Sequence, residues 1–182
     1  MLIESLSDAI RDPAFRQGQI DSLRETTTHY VWAIASGVDI RICLNEYKPL
    51  SVRSDGYATS IHDHRYDFVS IILRGGFSHQ KYDAHFERLD AIKEPLLISE
   101  IALSAGDLLV VRCDEFHRLS NIELDTLSLM VKLPPKKPYS TSFDVRTRAV
   151  THHYPYVERP DQLLAKLRHP SQAEAAASSS AR

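Results

Sequence analysis

The residues best suited to chemistry are three histidines in two short stretches of the chain. His62 and His64 flank an aspartate in the run Ser-Ile-His-Asp-His over residues 60–64. Alternate side chains of a β-strand share a face, so both imidazoles could bind one metal ion. His117 follows a glycine turn and an apolar strand over residues 106–113. A sheet that brings His117 opposite the first pair would complete a three-histidine metal site.

The composition describes an ordinary globular chain and excludes several classes of partner. The chain has 182 residues, 43% of them hydrophobic and 25% charged, with a net charge of −2. This size suits one domain with a substantial core. The near-neutral charge predicts no nucleic-acid or membrane partner. Cys43 and Cys113 are the only cysteines, so we expect no disulfide framework and a cytoplasmic location.

Short apolar or alternating segments, separated by turn residues, predict eight or nine strands with helices only near the chain ends. The predicted strands span residues 30–35, 39–47, 60–64, 68–73, 77–82, 96–103, 108–113, 125–133 and 143–151. Helices are predicted within about residues 2–24 and 160–168, and residues 173–182 are predicted to be a disordered tail. This pattern predicts an all-β antiparallel barrel or jelly roll over about residues 30–151, within a single domain of residues 1–172.

The predicted strand over residues 39–47 has one apolar face and one mixed face. The mixed face carries Arg41, Cys43, Asn45 and Tyr47. It could face solvent or line a polar cavity inside a barrel. In the second case Arg41, Asn45 and Tyr47 could hold a substrate anion, because a guanidinium pairs well with carboxylates.

The two histidine stretches resemble the two motifs of the cupin superfamily, which implies a double-stranded β-helix with a metal at its centre. The matching residues are His62, His64, Gly75, Gly76, Gly106, His117 and Asn121. Phe68 and Val69 occupy the positions where the first cupin motif has a glutamate. The resemblance therefore implies a ligand set without a carboxylate.

Within the cupins, the chain is most similar to the thiol dioxygenases, of which cysteine dioxygenase is the typical member. The likeness covers about residues 42–146 and is specific around residues 60–64 and 116–121. It implies iron bound by His62, His64 and His117 alone. The family's Ser-x-His-x-Tyr run is replaced by residues 128–132, which end in Lys132. The family's substrate-binding arginine has no clear equivalent here, and Arg41 is only a substitute candidate for that role. We therefore expect a relative with another substrate.

Three neutral imidazoles leave the full charge on a divalent metal and leave coordination positions open. This favours an Fe(II) dioxygenase that acts on a small polar or anionic metabolite, with dioxygen as the second partner. The same ligands suit Zn, Ni or Mn, so an isomerase, lyase or hydrolase without redox chemistry is the alternative. A cupin that binds a small molecule without turnover is the third interpretation. Many cupins pair through edge strands, and we expect a homodimer.

Other residues near the two stretches are candidates for supporting roles. His79 could be a fourth ligand, an acid or base, or only a barrel-lining or surface residue. Lys132 differs from the family pattern. If its side chain points inward, it would indicate a substrate different from that of the family. The acidic residues in the adjoining segments could orient the imidazoles; they are Asp63, Asp67, Asp114 and Glu115. The histidines beyond the barrel pattern are expected at the surface; they are His152, His153 and His169.

Overall fold

A computed structural model describes most of the predicted barrel. The described residues are 24–26, 28–37, 39–48, 60–84 and 94–154, together with Glu4, Asp8 and residues 11–14. The chain divides into two compact units, residues 1–152 and 153–182, and the second lies almost wholly outside the described residues. The predicted helices and the predicted tail fall mainly on residues outside this part. No helix in the described part is long and apolar enough to cross a membrane.

Two six-stranded sheets make up the described structure. The strands are β1 (Arg24–Glu25), β2 (His29–Ser36), β3 (Arg41–Tyr47), β4 (Ile61–His62), β5 (Phe68–Arg74), β6 (Gly76–Asp83), β7 (Leu96–Ser104), β8 (Leu108–Val111), β9 (Phe116–Ser120), β10 (Leu127–Lys132), β11 (Ser140–Asp144) and β12 (Ala149–His153). The first sheet has the order β1-β2-β3-β10-β5-β8, and the second has the order β12-β11-β4-β9-β6-β7. The described ladders are antiparallel.

From β3 to β11 the chain crosses repeatedly between the sheets. The first sheet receives β3, β5, β8 and β10, while the second receives β4, β6, β7, β9 and β11. Strands that are neighbours in a sheet are therefore mostly distant in sequence. This winding is a double-stranded β-helix, so the predicted all-β jelly-roll architecture is confirmed.

The mixed face of β3 points into the interior rather than to solvent. Cys43, Asn45 and Tyr47 are all buried, whereas Ile42 and Leu44 on the opposite face are only partly covered. Asn45 Nδ2 donates a hydrogen bond to Ser128 Oγ across the ladder between β3 and β10. Of the two alternatives for this strand, the structure therefore selects the interior.

One end of the interior is a hydrophobic core, which we call the apolar end. Its buried residues include Tyr47, Ile72, Phe77, Leu109, Leu119 and Ile122, and Val111 and Phe68 belong to the same cluster. The β5–β6 turn adjoins this end at Gly75 and Gly76. Gly75 has a φ of +67°, and a Cβ there would lie 2.5 Å from Thr126 Oγ1. A Cβ on Gly76 would collide with the Leu103 carbonyl oxygen. This turn therefore needs glycine at both positions.

Two strand predictions differ from the structure. The predicted strand over residues 60–64 ends at His62, because the Asp63 carboxylate accepts the Thr141 N–H and the regular ladder stops there. His64 consequently lies in the following loop. The predicted strand over residues 143–151 is two strands, β11 and β12, separated by a turn in which Asp144 accepts the N–H groups of Arg146 and Thr147.

Candidate metal centre

The structure brings His62, His64 and His117 together between the two sheets. His62 and His117 are directly opposite each other in the β4–β9 ladder, so their side chains share a face. His64 reaches the same place from the loop after β4. One ring nitrogen from each residue lies within 4.8 Å of the others. His62 and His117 are buried, and His64 is partly buried.

The ring nitrogens are arranged so that lone pairs can converge on a cation. His62 Nδ1 donates to the Ser60 carbonyl oxygen at 2.9 Å, which leaves its Nε2 as an acceptor. The Nε2 atoms of His64 and His117 lie 2.8 Å apart. Burial lowers the pKa of both His64 and His117 well below the ordinary value. Neutral imidazoles are the form that binds metal, so these residues fit a divalent ion.

His79 lies beside this cluster rather than in it. Its Nε2 is 3.0 Å from His117 Nδ1, and the residue is buried on β6. When His117 offers Nε2 to a metal, its Nδ1 carries the hydrogen and donates to His79. Burial also lowers the pKa of His79, which keeps its acceptor nitrogen available. His79 is thus within hydrogen-bonding distance of His117 and is not one of the three clustered histidines.

Aromatic rings and a lysine surround the three imidazoles on the side of the first sheet. The ring of Phe68 lies 4.8 Å from His64 and 6.1 Å from His117, between centroids. Phe68 thus fills space beside two of the three imidazoles. The Tyr66 ring lies 5.6 Å from His64, and Lys132 Nζ lies 5.3 Å from the Tyr66 centroid.

Asp63 fixes the loop that carries His64, from the side away from the cluster. Lys137 Nζ donates to Asp63 Oδ2 at 2.5 Å, and Thr141 N donates to Oδ1 at 2.7 Å. Burial raises the pKa of the Asp63 carboxyl, and these two hydrogen bonds oppose that rise. The carboxylate therefore ties the histidine loop to the segment before β11.

The other acidic candidates do not join the ligand group. Asp67 accepts from Lys136 Nζ and from Cys113 N, and these hydrogen bonds lower its pKa to about 2. Asp114 pairs with Arg112 at the surface. Glu115 pairs with Lys81 at 3.0 Å, and its charge favours the protonated form of His79.

Three further predicted residues are placed apart from the three histidines. Tyr47 lies in the apolar end, where its ring contacts His29 and Phe77 at centroid distances of 5.3 and 5.9 Å. Asn121 occupies a turn with a φ of 49° and donates to Ser78 Oγ. Arg41 is exposed at the end of β3, opposite Lys132. The structure therefore does not bring Arg41 and Tyr47 together as a joint anion site.

Sequence reasoning missed His29, which stands at the start of β2. Its Nδ1 lies 2.9 Å from Thr28 Oγ1, and burial, aided by the positive charges of Lys132 and Arg24, lowers its pKa to about 3. Its register partner is Tyr47, which lies on the mixed face of β3. A search for histidines opposite that face would have found it.

Comparisons with known proteins found similarity at the level of solved structures. No protein-family model matches the chain, and no curated protein matches it. KdgF from Halomonas sp. is 16% identical with a TM-score of 0.44, covering 63% of this chain and 88% of that one. An RmlC-like cupin from Shewanella frigidimarina is 14% identical with a TM-score of 0.43, covering 63% and 85%. Hydroquinone 1,2-dioxygenase from Sphingomonas sp. TTNP3 is 12% identical with a TM-score of 0.43, covering 57% and 64%.

The topology and the cluster together define the class of protein. The chain forms a double-stranded β-helix whose interior holds a three-histidine group suited to a metal ion.

Proposed function

We propose that this chain is a mononuclear non-haem iron(II) dioxygenase acting on a small polar or anionic metabolite. His62, His64 and His117 would hold the metal through ring nitrogens. His79 would orient His117, and Phe68 and Tyr66 would form part of the wall beside the open coordination positions.

The observation that carries this proposal is the composition of the ligand group. Three imidazole nitrogens converge within 4.8 Å, and in the described part of the chain no carboxylate or thiolate joins them. Three neutral ligands leave the full charge of a divalent ion uncompensated, which favours an anionic chelating substrate. Three ligands on one side also leave adjacent positions for a substrate and for dioxygen.

Each residue has a task that does not depend on the substrate. Iron(II), when bound, supplies the redox chemistry with dioxygen. The Ser60 carbonyl and the His79 ring hold the tautomers that leave ligand lone pairs on His62 and His117. The apolar ring of Phe68 excludes water from the neighbourhood of the ligands. The low pKa values of His64 and His117 keep protons from competing with the metal near neutral pH.

The decisive experiment is elemental analysis of anaerobically purified, untagged protein beside His117→Ala. His152→Ala is the matched control, because His152 is an exposed histidine on β12. We expect one iron ion per chain in the wild type and the control, and its loss in His117→Ala. The iron protein should then consume oxygen with a member of a panel of thiols, diketones and amino-acid derivatives.

Other outcomes would change the assignment in defined ways. Zinc, nickel or manganese that disappears in His117→Ala would contradict the iron assignment and indicate a metal-dependent isomerase, lyase or hydrolase. Failure of the wild type to hold any metal after reconstitution, with its thermal unfolding intact, would refute the metal site itself.

A further inference from the structure

We propose that Lys132 is the anchor for a carboxylate on the substrate, so that the substrate carries both a metal-binding group and a separate anionic tail. This inference rests on the proposed function, because it concerns the same interior site.

Lys132 faces the interior of the barrel. It is the last residue of β10 and is opposite Phe68 of β5, which is buried. Residues directly opposite in an antiparallel ladder share a face. Ser128 and Met130 alternate with it on the same strand. Ser128 is buried, and Met130 packs against the core. The lysine side chain is therefore partly buried, beside the wall of the candidate metal centre.

The ammonium group lies close to the three imidazoles. Lys132 Nζ sits over the Tyr66 ring, and that ring lies against His64. A group held at Lys132 would thus be a short distance from a metal ion on the three histidines.

Among the described residues, no carboxylate lies within ion-pair distance of Lys132. Its ammonium group lies over the face of Tyr66, which is only a weak attraction. The other lysines of this region are paired, since Lys136 binds Asp67 and Lys137 binds Asp63. Partly buried charges are normally compensated. Lys132 has no such partner among the described residues, and it stands beside three uncharged-form histidine candidates rather than a carboxylate.

The neighbouring strand adds to the positive charge instead of reducing it. Arg41 is directly opposite Lys132 in the β3–β10 ladder, and like charges in that position repel. Arg41 is exposed, so solvent screens it, and it can draw anions toward the site without holding them. The partly buried Lys132 carries one charge, which one carboxylate neutralises.

The test uses two hydroxamates that differ only in their tails, with cobalt(II) as the metal because its visible spectrum reports ligand binding. Both butyrohydroxamate and succinic monohydroxamate chelate the metal, and only the second has a carboxylate tail. Cobalt(II) affinity and the affinity for each hydroxamate are measured in the wild type, Lys132→Met and Lys132→Arg. Lys136→Met is the matched control, because it removes an exposed lysine outside the interior.

We expect the carboxylate tail to improve binding to the wild type by about tenfold, the strength of one charge-assisted hydrogen bond. The gain should disappear in Lys132→Met, persist largely in Lys132→Arg and remain unchanged in Lys136→Met. Cobalt(II) and butyrohydroxamate should bind all four proteins alike. If the gain persists in Lys132→Met, or if the wild type shows no gain, the role of Lys132 is refuted while the metal site is not. A wild type that binds no cobalt(II) would overturn the proposed function and this inference together.

Discussion

The interior of the barrel has two ends that are built from different side chains. At the apolar end, aromatic and aliphatic groups from both sheets pack around Phe77 and Tyr47. At the other, which we call the metal end, His62, His64 and His117 converge beside Lys132. Both ends use the same strands, since β3, β5, β9 and β10 run from one to the other.

The difference shows how one fold separates stability from chemistry. Burial of large apolar side chains supplies most of the free energy of folding. Buried imidazoles and an uncompensated lysine contribute little to it and can oppose it. Placing them together at one end lets the apolar end compensate for that cost. Substitutions at the two ends should therefore affect different properties.

The largest expected effect is on stability, from Phe77→Ala at the apolar end. Removal of the buried ring leaves a cavity, so the free energy of unfolding should fall by about 3–5 kcal/mol. Urea unfolding measures this change, and cobalt(II) titration of the folded variant should give the wild-type affinity. A large loss of metal affinity in the folded variant would mean that the two ends are coupled.

A smaller effect is expected from His79, which lies beside the metal end. His79→Leu removes the acceptor for His117 Nδ1 and should weaken metal binding by about 10–100-fold. His79→Gln keeps a side-chain acceptor and should recover much of that loss. Competition with a chelator gives the affinities. Equal affinities in both variants and the wild type would assign His79 to the packing of the apolar end.

The smallest effect concerns the pH dependence of stability and involves His29. This residue contacts Tyr47 at the apolar end, and its pKa is lowered by burial and, secondarily, by the charge of Lys132. Its folded pKa is about 3, below the ordinary 6.5, so the unfolded chain binds a proton that the folded chain excludes. The stability that depends on neutral His29 is thus full above pH 6.5 and is lost as the pH falls toward 3.

His29→Gln should reduce the fall in unfolding free energy below pH 6.5 by up to about 1.4 kcal/mol per pH unit. Urea unfolding at several pH values between 7.5 and 5 measures it. The exposed His152→Gln should keep the wild-type slope. An unchanged slope in His29→Gln would place that imidazole in contact with water in the folded state.

Much of the fold was predictable, because strand alternation and glycine turns are local signals. The alternating pattern of β3 defined its two faces, and the pairing of β3 with β10 then decided which face is inside. The end of β4 could not be predicted, since Thr141 lies far along the chain from Asp63. The position of Tyr47 among aromatic rings, and that of His79 against His117, depend equally on packing between strands distant in sequence.

The hydrogen bonds of Asp63 also have a consequence for the order in which the molecule is made. Its partners Lys137 and Thr141 follow it by 74 and 78 positions. Synthesis proceeds from the N-terminus, and contacts between distant residues form slowly. His62 and His64 therefore leave the ribosome well before the residues that fix their loop. We expect the nascent chain to lack the assembled three-nitrogen group until β11 has paired with β4, so the metal ion meets a chain whose barrel is nearly complete.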